Sequence, residues 1–383
     1  MPQVLICGAG WAGMNAARLL QERGFSVKIL EKSERVGGRI TTDFKEGFTL
    51  DRGFQVINPS YAELREAGAL AGLVTTRIPK GIEILRGDAI LKAGDPRSDL
   101  RYLPTLWRKE FGGFREKLEF LKFLRQPTSD ISFGAAMAKS KRLFIEVLKP
   151  FLDGVVLGDV TSMSNRMVRE LIHWFIKGTP VLIEGGVARA SENLAAGLDI
   201  DFRVEILAAT ERKVTTDQGE LSADAVVVAT DPITAAKLLG VAAPVMNFSQ
   251  TWYFDLPIGV VTSKHLRVGG QGPITNSIAL SNLIADYAPA GRTLLAATCI
   301  EKATESAVRV HLSQLWGVSV DDWRLIECID IPNSLPRMLP GSPLIATQKV
   351  NGVWLAGDWC ATPSQQGALL SGKLVANLIS ASR

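Results

Sequence analysis

The feature that most constrains this chain is a glycine-rich turn set between a short apolar strand and a helix. Residues 4–7 are uniformly apolar, as in a strand buried on both faces of a parallel sheet. Three glycines follow in the order Gly-x-Gly-x-x-Gly, at Gly8, Gly10 and Gly13, and residues 14–23 have a helical pattern. A strand, this turn and a helix open a doubly wound α/β fold, so we expect a Rossmann-like domain with a central parallel sheet.

The spacing of these glycines fits the pyrophosphate of a dinucleotide. Gly8 permits the tight turn, Gly10 lets the backbone approach the phosphates, and Gly13 permits close packing of the helix on the strand. The N-terminus of the helix brings amides and the positive end of its dipole to the same place. We therefore predict that the whole turn, including Trp11 and Ala12, binds the cofactor.

An acidic residue follows the second predicted strand, residues 25–30. Glu31 stands 18 residues after Gly13, where a carboxylate accepts hydrogen bonds from ribose hydroxyls. An acid at this position favours FAD or NAD over NADP. We predict Glu31 and the adjacent Lys32 as cofactor-binding residues.

A second motif resembles a flavoprotein signature. Arg35, Gly37, Gly38 and Arg39 form the pattern Arg-x-Gly-Gly-Arg, and Gly53 follows. This combination resembles the second signature of the flavin amine oxidase and phytoene desaturase superfamily, whose FAD-binding domain has the glutathione reductase-like fold. The resemblance implies that the cofactor is FAD and that this motif wraps its pyrophosphate and passes the flavin. Paired glycines allow a close backbone approach, and an arginine offers a rigid, charged fork for phosphate.

A segment near the C-terminus carries the same resemblance, nearer to the desaturase-like members. An apolar strand is predicted to end at Gly357 and Asp358, and Gln366, Gly367 and Ala368 open the terminal helix. The resemblance implies that the aspartate holds a hydroxyl on the ribityl or phosphate side. It also implies that the amides of the helix face the flavin N1 and O2 edge, where they stabilise the negative charge of reduced flavin.

A third segment, residues 183–230, resembles the middle FAD-binding segment of the same superfamily. The resemblance implies that the backbone of Val204 pairs with adenine. Ile183 and Val187 stand where members often carry proline and methionine, which bears on the subfamily and not on the fold.

These motifs divide the chain into two predicted domains. The FAD-binding domain is discontinuous and comprises residues 1–75, 180–240 and 336–383. The segments between them, residues 76–179 and 241–335, form the substrate domain, whose hairpins, helices and apolar strands predict an α+β unit with a mixed sheet. The predicted fold class is therefore α/β, a Rossmann-like domain joined to a mixed-sheet domain.

The predicted reaction is transfer of a hydride from a small apolar substrate, polyene or isoprenoid in type, to flavin N5, with the electrons passed to a quinone or another acceptor. The apolar stretch 252–261 and the lack of an evident acid–base pair favour such a donor, because flavin itself supplies the hydride chemistry. No catalytic residue is identified. His173, beside Trp174 in an apolar stretch, is predicted to lie in the core rather than to act as a base.

Two alternative functions stay open. The first is a flavin amine oxidase that uses oxygen and releases peroxide. The resemblance places a lysine near flavin N5 in such oxidases. Lys264 is only a loose positional candidate for it, and a surface position is the favoured interpretation. The second is a redox-silent FAD-dependent isomerase or flavoprotein scaffold.

Composition argues against several other classes. The four cysteines contain no Cys-x-x-Cys pair and only three histidines are present, so we predict no metal site and no disulfide framework. A net charge of +4 is too small to argue for nucleic acid. The chain shows no signal-peptide pattern and no run of 18 apolar residues, so we expect a cytoplasmic location. The oligomeric state is left open.

One basic stretch suggests an additional partner. Residues 101–125 interleave seven basic side chains with aromatic ones, and residues 107–124 are predicted to form a helix. A basic amphipathic helix can lie on an anionic membrane, so peripheral contact with the inner face of a membrane is a candidate interaction. The alternative is an ordinary surface helix with one core face, since three glutamates dilute the charge.

Overall fold

The computed structural model describes residues 1–94, 102, 108–126, 129–346 and 348–382. Arg101 and Trp107, which belong to the predicted basic stretch and helix, lie outside the described residues. In chain order, the strands are β1 Gln3–Cys7, β2 Ser26–Glu31, β3 Thr42–Lys45, β4 Phe48–Asp51, β5 Thr75–Arg77, β6 Gly81–Arg86, β7 Ala89–Gly94, β8 Val181–Ile183, β9 Ile200–Phe202, β10 Ile206–Ala209, β11 Lys213–Thr216, β12 Gly219–Ser222, β13 Ala225–Val228, β14 Met246–Pro257, β15 Leu266–Gly269, β16 Ile274–Ala279, β17 Arg292–Cys299, β18 Arg324–Pro336, β19 Lys349–Val350 and β20 Val353–Leu355.

Helices connect these strands and build a separate layer. They are α1 Trp11–Glu22, α2 Ala62–Ala67, α3 Phe114–Arg125, α4 Phe133–Ala136, α5 Lys141–Leu143, α6 Lys149–Val156, α7 Asn165–Lys177, α8 Ala188–Ala195, α9 Pro232–Leu239, α10 Glu305–Trp316 and α11 Gln365–Ala381. In the part of the chain that the structure describes, no helix has the length and apolarity needed to span a bilayer.

The first large sheet has the strand order β19-β20-β13-β1-β2-β9. Its neighbouring strands are parallel except for the pair β19 and β20. β1 is buried on both faces, since Val4 and Ile6 pack into one apolar cluster while Leu5 and Cys7 pack into another. The uniformly apolar run predicted this placement. β1 and β20 are separated by β13 alone, so the two motifs that follow them lie at one edge of the sheet.

The close packing of α1 on this sheet depends on glycine. A Cβ added to Gly13 would lie 2.2 Å from the carbonyl oxygen of Gly8, so even a methyl group cannot be placed there without a shift. Gly8 has a φ of +107°, which an L-residue tolerates poorly, and a Cβ added there would lie 2.7 Å from the carbonyl oxygen of Ala229. The structural reasons expected for these two glycines are therefore present.

The second large sheet has the order β18-β14-β17-β16-β15-β6-β7. Its pairs are antiparallel except for β15 and β6, so the sheet is mixed, as predicted. Side chains alternate along β14: Trp252 and Phe254 pack beneath α10, whereas Tyr253 packs on the opposite face. Ser249 and Thr251 share the parity of Tyr253 and line the cavity described below.

The helices α3 to α7 form a layer around a further apolar cluster that includes Phe123, Phe133 and Leu171. The predicted helix over residues 107–124 is only partly correct, because its first turn is separate. A 3-10 turn at Lys109–Phe111 precedes α3, and Gly112, with a φ of +90°, interrupts the helix. A Cβ there would lie 2.7 Å from a carboxylate oxygen of Glu116, so the break is built around glycine.

Candidate functional site

One cavity of about 1580 Å³ extends from the edge of the parallel sheet to the helical layer. Cavities for single small ligands usually measure roughly 300–1,000 Å³. This one therefore has room for a dinucleotide and a second molecule. Thirteen of the predicted cofactor-binding residues line it: Gly8, Gly10, Trp11, Ala12, Glu31, Lys32, Gly37, Gly38, Arg39, Gly53, Gly357, Asp358 and Ala368.

The backbone around Gly10 forms an open cradle at the N-terminus of α1. A Cβ added to Gly10 would meet no atom within 4 Å, and one added to Gly38 would meet only the Cα of Gly10, at 3.7 Å. The amide of Gly37 donates to the carbonyl of Ala9 at 2.9 Å, which fixes the two glycine segments side by side. Side chains here would fill the space in front of the helix amides, so the bare backbone fits a pyrophosphate.

The carboxylate of Glu31 lies at the end of β2 in a position that suits a ribose. Its two oxygens accept hydrogen bonds from the amides of Ala9, at 2.7 Å, and Ser33, at 2.9 Å. A carboxylate has about four acceptor positions, so lone pairs remain for two hydroxyls. Lys32 instead pairs with Glu205 at 2.6 Å, and both side chains line the same end of the cavity.

An ion pair joins the first and last motifs. Arg39 lies 2.7 Å from a carboxylate oxygen of Asp358 and also donates to the carbonyl of Ser334 at 2.9 Å. Burial opposes the charge of Arg39, but the neighbouring carboxylate favours it, and the pKa of the guanidinium is raised overall. The pair holds a cation at the cavity wall beside the glycine cradle. Arg35, by contrast, is bonded to Thr42 and Asp43 and does not line the cavity.

Four predicted residues do not line the cavity. Gly13 packs on the strand, and Val204 donates its amide to the carbonyl of Glu31 at 2.9 Å. Gln366 accepts a hydrogen bond from the amide of Glu63 at 3.1 Å. The amide of Gly367 donates to the hydroxyl of Ser364, which caps α11. The contacts with adenine and flavin inferred for these residues therefore stay predictions.

Ala368 lines the cavity, although its amide is bonded within the terminal helix. That amide donates to the carbonyl of Ser364 at 2.9 Å. Pro363, Ser364 and Gln365 line the cavity beside it. These three neighbours, just before the predicted contact residues, present the start of the helix to the cavity.

The other half of the cavity is almost entirely apolar. Its described lining comes from α3, the π-helical turn Phe144–Leu148, α6, α7 and the mixed sheet, and includes Phe120, Leu124, Val147, Phe151, Leu152, Val155, Leu171, Ile172, Phe175 and Ile176. Phe151 and Phe175 contact each other edge to face, with ring centres 5.3 Å apart. Two rings in direct contact leave no gap between them for a ligand.

A small polar strip crosses the sheet side of this apolar half. Ser249, Thr251, Asn276 and Thr298 line it from three different strands, and the two threonine hydroxyls lie 3.3 Å apart. Sequence analysis missed these residues, because they come from three strands that are distant in the sequence and only strand pairing brings them together. The single available signal was the two-residue alternation along β14.

The carboxylates in the described lining of the cavity are confined to one end. Among the described lining residues, the carboxylates are Glu31, Glu205, Asp231 and Asp358, all from the predicted FAD-binding domain. The predicted substrate domain contributes Lys80 and Lys117 and no carboxylate to the described lining. The apolar half is therefore unsuited to a polycation.

Lys264 does not reach this cavity. It lines a separate, smaller one of about 950 Å³ together with Glu83, His265 and Arg267. Among the described lining residues of the large cavity, no lysine comes from the sheet strands β14 to β18. The position suggested for Lys264 near flavin N5 does not fit this geometry.

Two other groups near the site have structural roles. Cys360 is buried, and burial raises the pKa of its thiol to about 12, so it stays protonated at neutral pH. His173 is exposed and bonds through Nε2 to the carbonyl of Leu124 at 3.0 Å, so the prediction that it lies in the core was wrong. Its solvent-facing position follows from the amphipathic face of α7. Among the described residues, no cluster of metal-binding side chains is found.

A buried carboxylate that sequence analysis missed, at the end of β4, ties this strand to its neighbours and to the mixed sheet. Asp51 accepts hydrogen bonds from the hydroxyl of Thr42 at 2.6 Å, the amide of Val187 at 2.9 Å and the hydroxyl of Tyr287 at 2.9 Å. Tyr253 donates to its backbone carbonyl at 2.5 Å. Burial raises the pKa of Asp51 to about 6, against the effect of its hydrogen-bond donors.

Comparisons with known proteins agree with this geometry. Polyamine oxidase 2 of Arabidopsis thaliana is 28% identical over 256 residues, which cover 60% of this chain and 50% of that protein. The 4,4'-diapolycopene oxygenase of Methylomonas sp is 27% identical over 246 residues, covering 53% and 49%. The matches span about half the length of these curated relatives. Cyclohexylamine oxidase from Brevibacterium oxydans IH-35A, 16% identical, has a TM-score of 0.71 over 100% of this chain and 99% of that one, which supports the fold.

The family model for flavin-containing amine oxidoreductases matches residues 11–380, nearly the whole chain. The match begins at Trp11, within the glycine turn, and includes the Arg-x-Gly-Gly-Arg motif and the C-terminal segment, which the structure gathers around one cavity. The predicted fold class, family and cofactor are confirmed. The chain therefore belongs to the flavin-containing amine oxidoreductase family.

Proposed function

We propose that this protein oxidises an elongated apolar substrate, polyene or isoprenoid in type, and passes the electrons to a quinone or another acceptor. The observation that carries the proposal is the apolar half of the large cavity, which continues directly from the predicted cofactor end. Bound FAD supplies the hydride-accepting chemistry, at its N5 position. The chain supplies the apolar walls that hold the substrate and exclude water.

The lining of the apolar half suits a long hydrocarbon in two ways. Aliphatic and aromatic side chains from α3, α6 and α7 surround it, so binding removes apolar surface of both partners from water, worth about 25 cal/mol per Å². The hydroxyls of Thr251 and Thr298 give the sheet wall a polar strip that can hold water by hydrogen bonds, and this water can carry away a proton lost from the oxidised substrate. The relative named 4,4'-diapolycopene oxygenase supports this substrate class.

The runner-up is an amine oxidase, which the relative named polyamine oxidase 2 favours. A polyamine carries several positive charges, and burying them requires carboxylates or an open aromatic cage. The described lining from the predicted substrate domain contains two lysines and no carboxylate, and Phe151 and Phe175 contact each other. These features favour an uncharged donor over a polycation.

The test is anaerobic reduction of the FAD-loaded protein, which is monitored by the loss of flavin absorbance. An acyclic polyene in detergent micelles is compared with spermidine and with putrescine in the same micelles. We expect bleaching by the polyene and none by the amines, with little peroxide after oxygen is admitted. Bleaching by an amine with stoichiometric peroxide would establish the runner-up instead. Retention of FAD with no bleaching by any donor would favour the redox-silent flavoprotein.

A further inference from the structure

We propose that helix α3, Phe114–Arg125, is a docking surface for an anionic lipid bilayer, placed at the rim of the apolar cavity. The proposal goes beyond the reaction and does not depend on which apolar molecule is oxidised. It commits to a membrane as the occupant of this surface. Three observations carry it: the exposed apolar residues of the helix, the local charge, and the continuity of the helix with the cavity wall.

The first observation is an exposed apolar stripe. Phe114 is 80% exposed, Leu118 is 43% exposed and Leu121 is 44% exposed. The spacing of four and then three residues places these side chains on one face of the helix. The opposite face carries Phe123, which is 6% exposed and packs against Phe133. α3 therefore packs one apolar face against the helical layer and also exposes apolar side chains on part of its outer face.

The second observation is the charge around the stripe. Residues 108–142 contain nine lysines and arginines against four aspartates and glutamates, a formal charge of +5, whereas the whole chain carries +4. The excess positive charge of the protein is thus concentrated in this segment. At 100° per residue, Lys117 and Lys122 flank the stripe and Arg125 continues it. An apolar stripe bordered by basic side chains is the pattern of a helix that lies in the plane of an anionic membrane surface.

The third observation links the stripe to the cavity. Leu121 belongs to the stripe and also lines the large cavity, as do Lys117, Phe120 and Leu124 on the adjacent face of the same helix. A molecule leaving the acyl layer of a bilayer beneath α3 would therefore meet cavity-lining side chains without crossing water. This arrangement favours a lipid surface over a protein partner, because a protein partner has no need of access to the cavity.

Some of the charged side chains on and beside α3 already interact with other groups of the protein. Lys122 pairs with Glu119 at 2.7 Å, and Glu116 accepts from the amides of Gly113 and Arg142 at 2.8 Å each. Exposed pairs of this kind contribute little energy and leave the net local charge unchanged. Attraction to an anionic surface depends on that net charge and decays within a Debye length of roughly 8 Å at physiological salt.

The experiment is co-sedimentation of the FAD-loaded protein with phosphatidylcholine vesicles, with and without phosphatidylglycerol. We expect sedimentation that requires the anionic lipid and weakens in high salt. The double variant Phe114→Glu/Leu118→Glu should lower partitioning at least about tenfold, since two apolar side chains no longer enter the interface. Neither residue lines the cavity. The FAD content of the double variant and the reduction of its flavin by substrate in micelles should therefore match those of the wild type.

A matched control separates this surface from exposed apolar residues in general. Val310 on α10 is 59% exposed and far along the chain from the helical layer, so Val310→Glu should leave vesicle binding unchanged. The proposal is overturned if the wild type does not sediment with either vesicle, or if Val310→Glu reduces binding as much as the double variant. It is equally overturned if ultracentrifugation shows a dimer that the double variant dissociates, since the stripe would then serve a second copy of the chain.

Discussion

Gly10 and Gly13 stand three residues apart and have different physical reasons to be glycine. A Cβ on Gly10 would point into open cavity, whereas a Cβ on Gly13 would collide with the carbonyl of Gly8. Gly10→Ala should therefore leave the stability of the apoprotein nearly unchanged and weaken FAD binding at least about tenfold. Gly13→Ala should destabilise the apoprotein itself, by about 1–3 kcal/mol. Denaturant unfolding of both apoproteins, with FAD titrations, tests this; equal loss of stability in the two variants would contradict it.

Glu31 provides a second test at this scale. Glu31→Gln keeps an acceptor but removes the charge that strengthens hydrogen bonds from ribose hydroxyls and from the two backbone amides. The loss of about 1.5–3 kcal/mol expected for charged hydrogen bonds corresponds to FAD binding weaker by tenfold or more. Glu34→Gln is the control, because Glu34 is exposed, pairs with Arg203 and does not line the cavity. FAD affinities measured by fluorescence quenching should differ only for Glu31→Gln.

The placement of residues at the cavity could be predicted where the motif is local in sequence. Gly8, Gly10 and Gly13 act within one turn, so their spacing alone contains the geometry. Thr251 and Thr298 could not be predicted, since their contact depends on strand pairing across 47 positions. Lys264 is exposed, as the favoured interpretation predicted, and its loose position along the chain did not determine which cavity its side chain enters.

At the scale of elements, Asp51 links the end of β4 to Thr42 of β3, to Tyr287 and to the amide of Val187 by hydrogen bonds. Its ionisation makes the free energy of unfolding depend on pH. Its pKa is raised to about 6 by burial, so between about pH 4 and 6 the folded protein binds a proton that the unfolded chain has released. This group therefore favours folding at low pH, and its contribution is lost as the pH rises through 6. A shift of about two pKa units corresponds to about 3 kcal/mol.

Asp51→Asn should remove this dependence. The free energy of unfolding of the wild type minus that of Asp51→Asn should fall by about 2–3 kcal/mol between pH 4 and 6.5, as measured by urea unfolding at each pH. Asp322→Asn, at an exposed position, serves as the control and should give a flat difference. A flat difference for Asp51→Asn would show that the carboxylate is charged throughout this range.

The order of elements could be predicted because apolar runs and turns are local signals. The hairpin formed by β6 and β7 and the parallel pairing of β1 with β2 follow from such runs. The separation of the turn Lys109–Phe111 from α3 was missed, since the apolar spacing continues across Gly112, whose positive φ interrupts the helix. The domain limits assigned from the motifs stay predictions.

At the scale of the whole molecule, one cavity has two chemically different ends. The parallel sheet presents a polar, glycine-lined end suited to FAD, and the mixed sheet and helical layer enclose an apolar end. Residues from both ends of the sequence meet in the ion pair of Arg39 and Asp358. Sequence motifs predicted the polar end, whereas the apolar end is assembled from many separate segments with no motif of its own.

Our central proposal is that the substrate that reduces the flavin binds in the apolar half of this cavity. Val155→Trp would fill part of that half from α6, while Val310→Trp places the same side chain on the exposed face of α10. The decisive measurement is the anaerobic rate of FAD reduction by a polyene in stopped flow for these two variants. We predict that Val155→Trp retains FAD and is reduced at least about tenfold more slowly, with Val310→Trp at the wild-type rate. Equal rates in both variants and the wild type would contradict the claim.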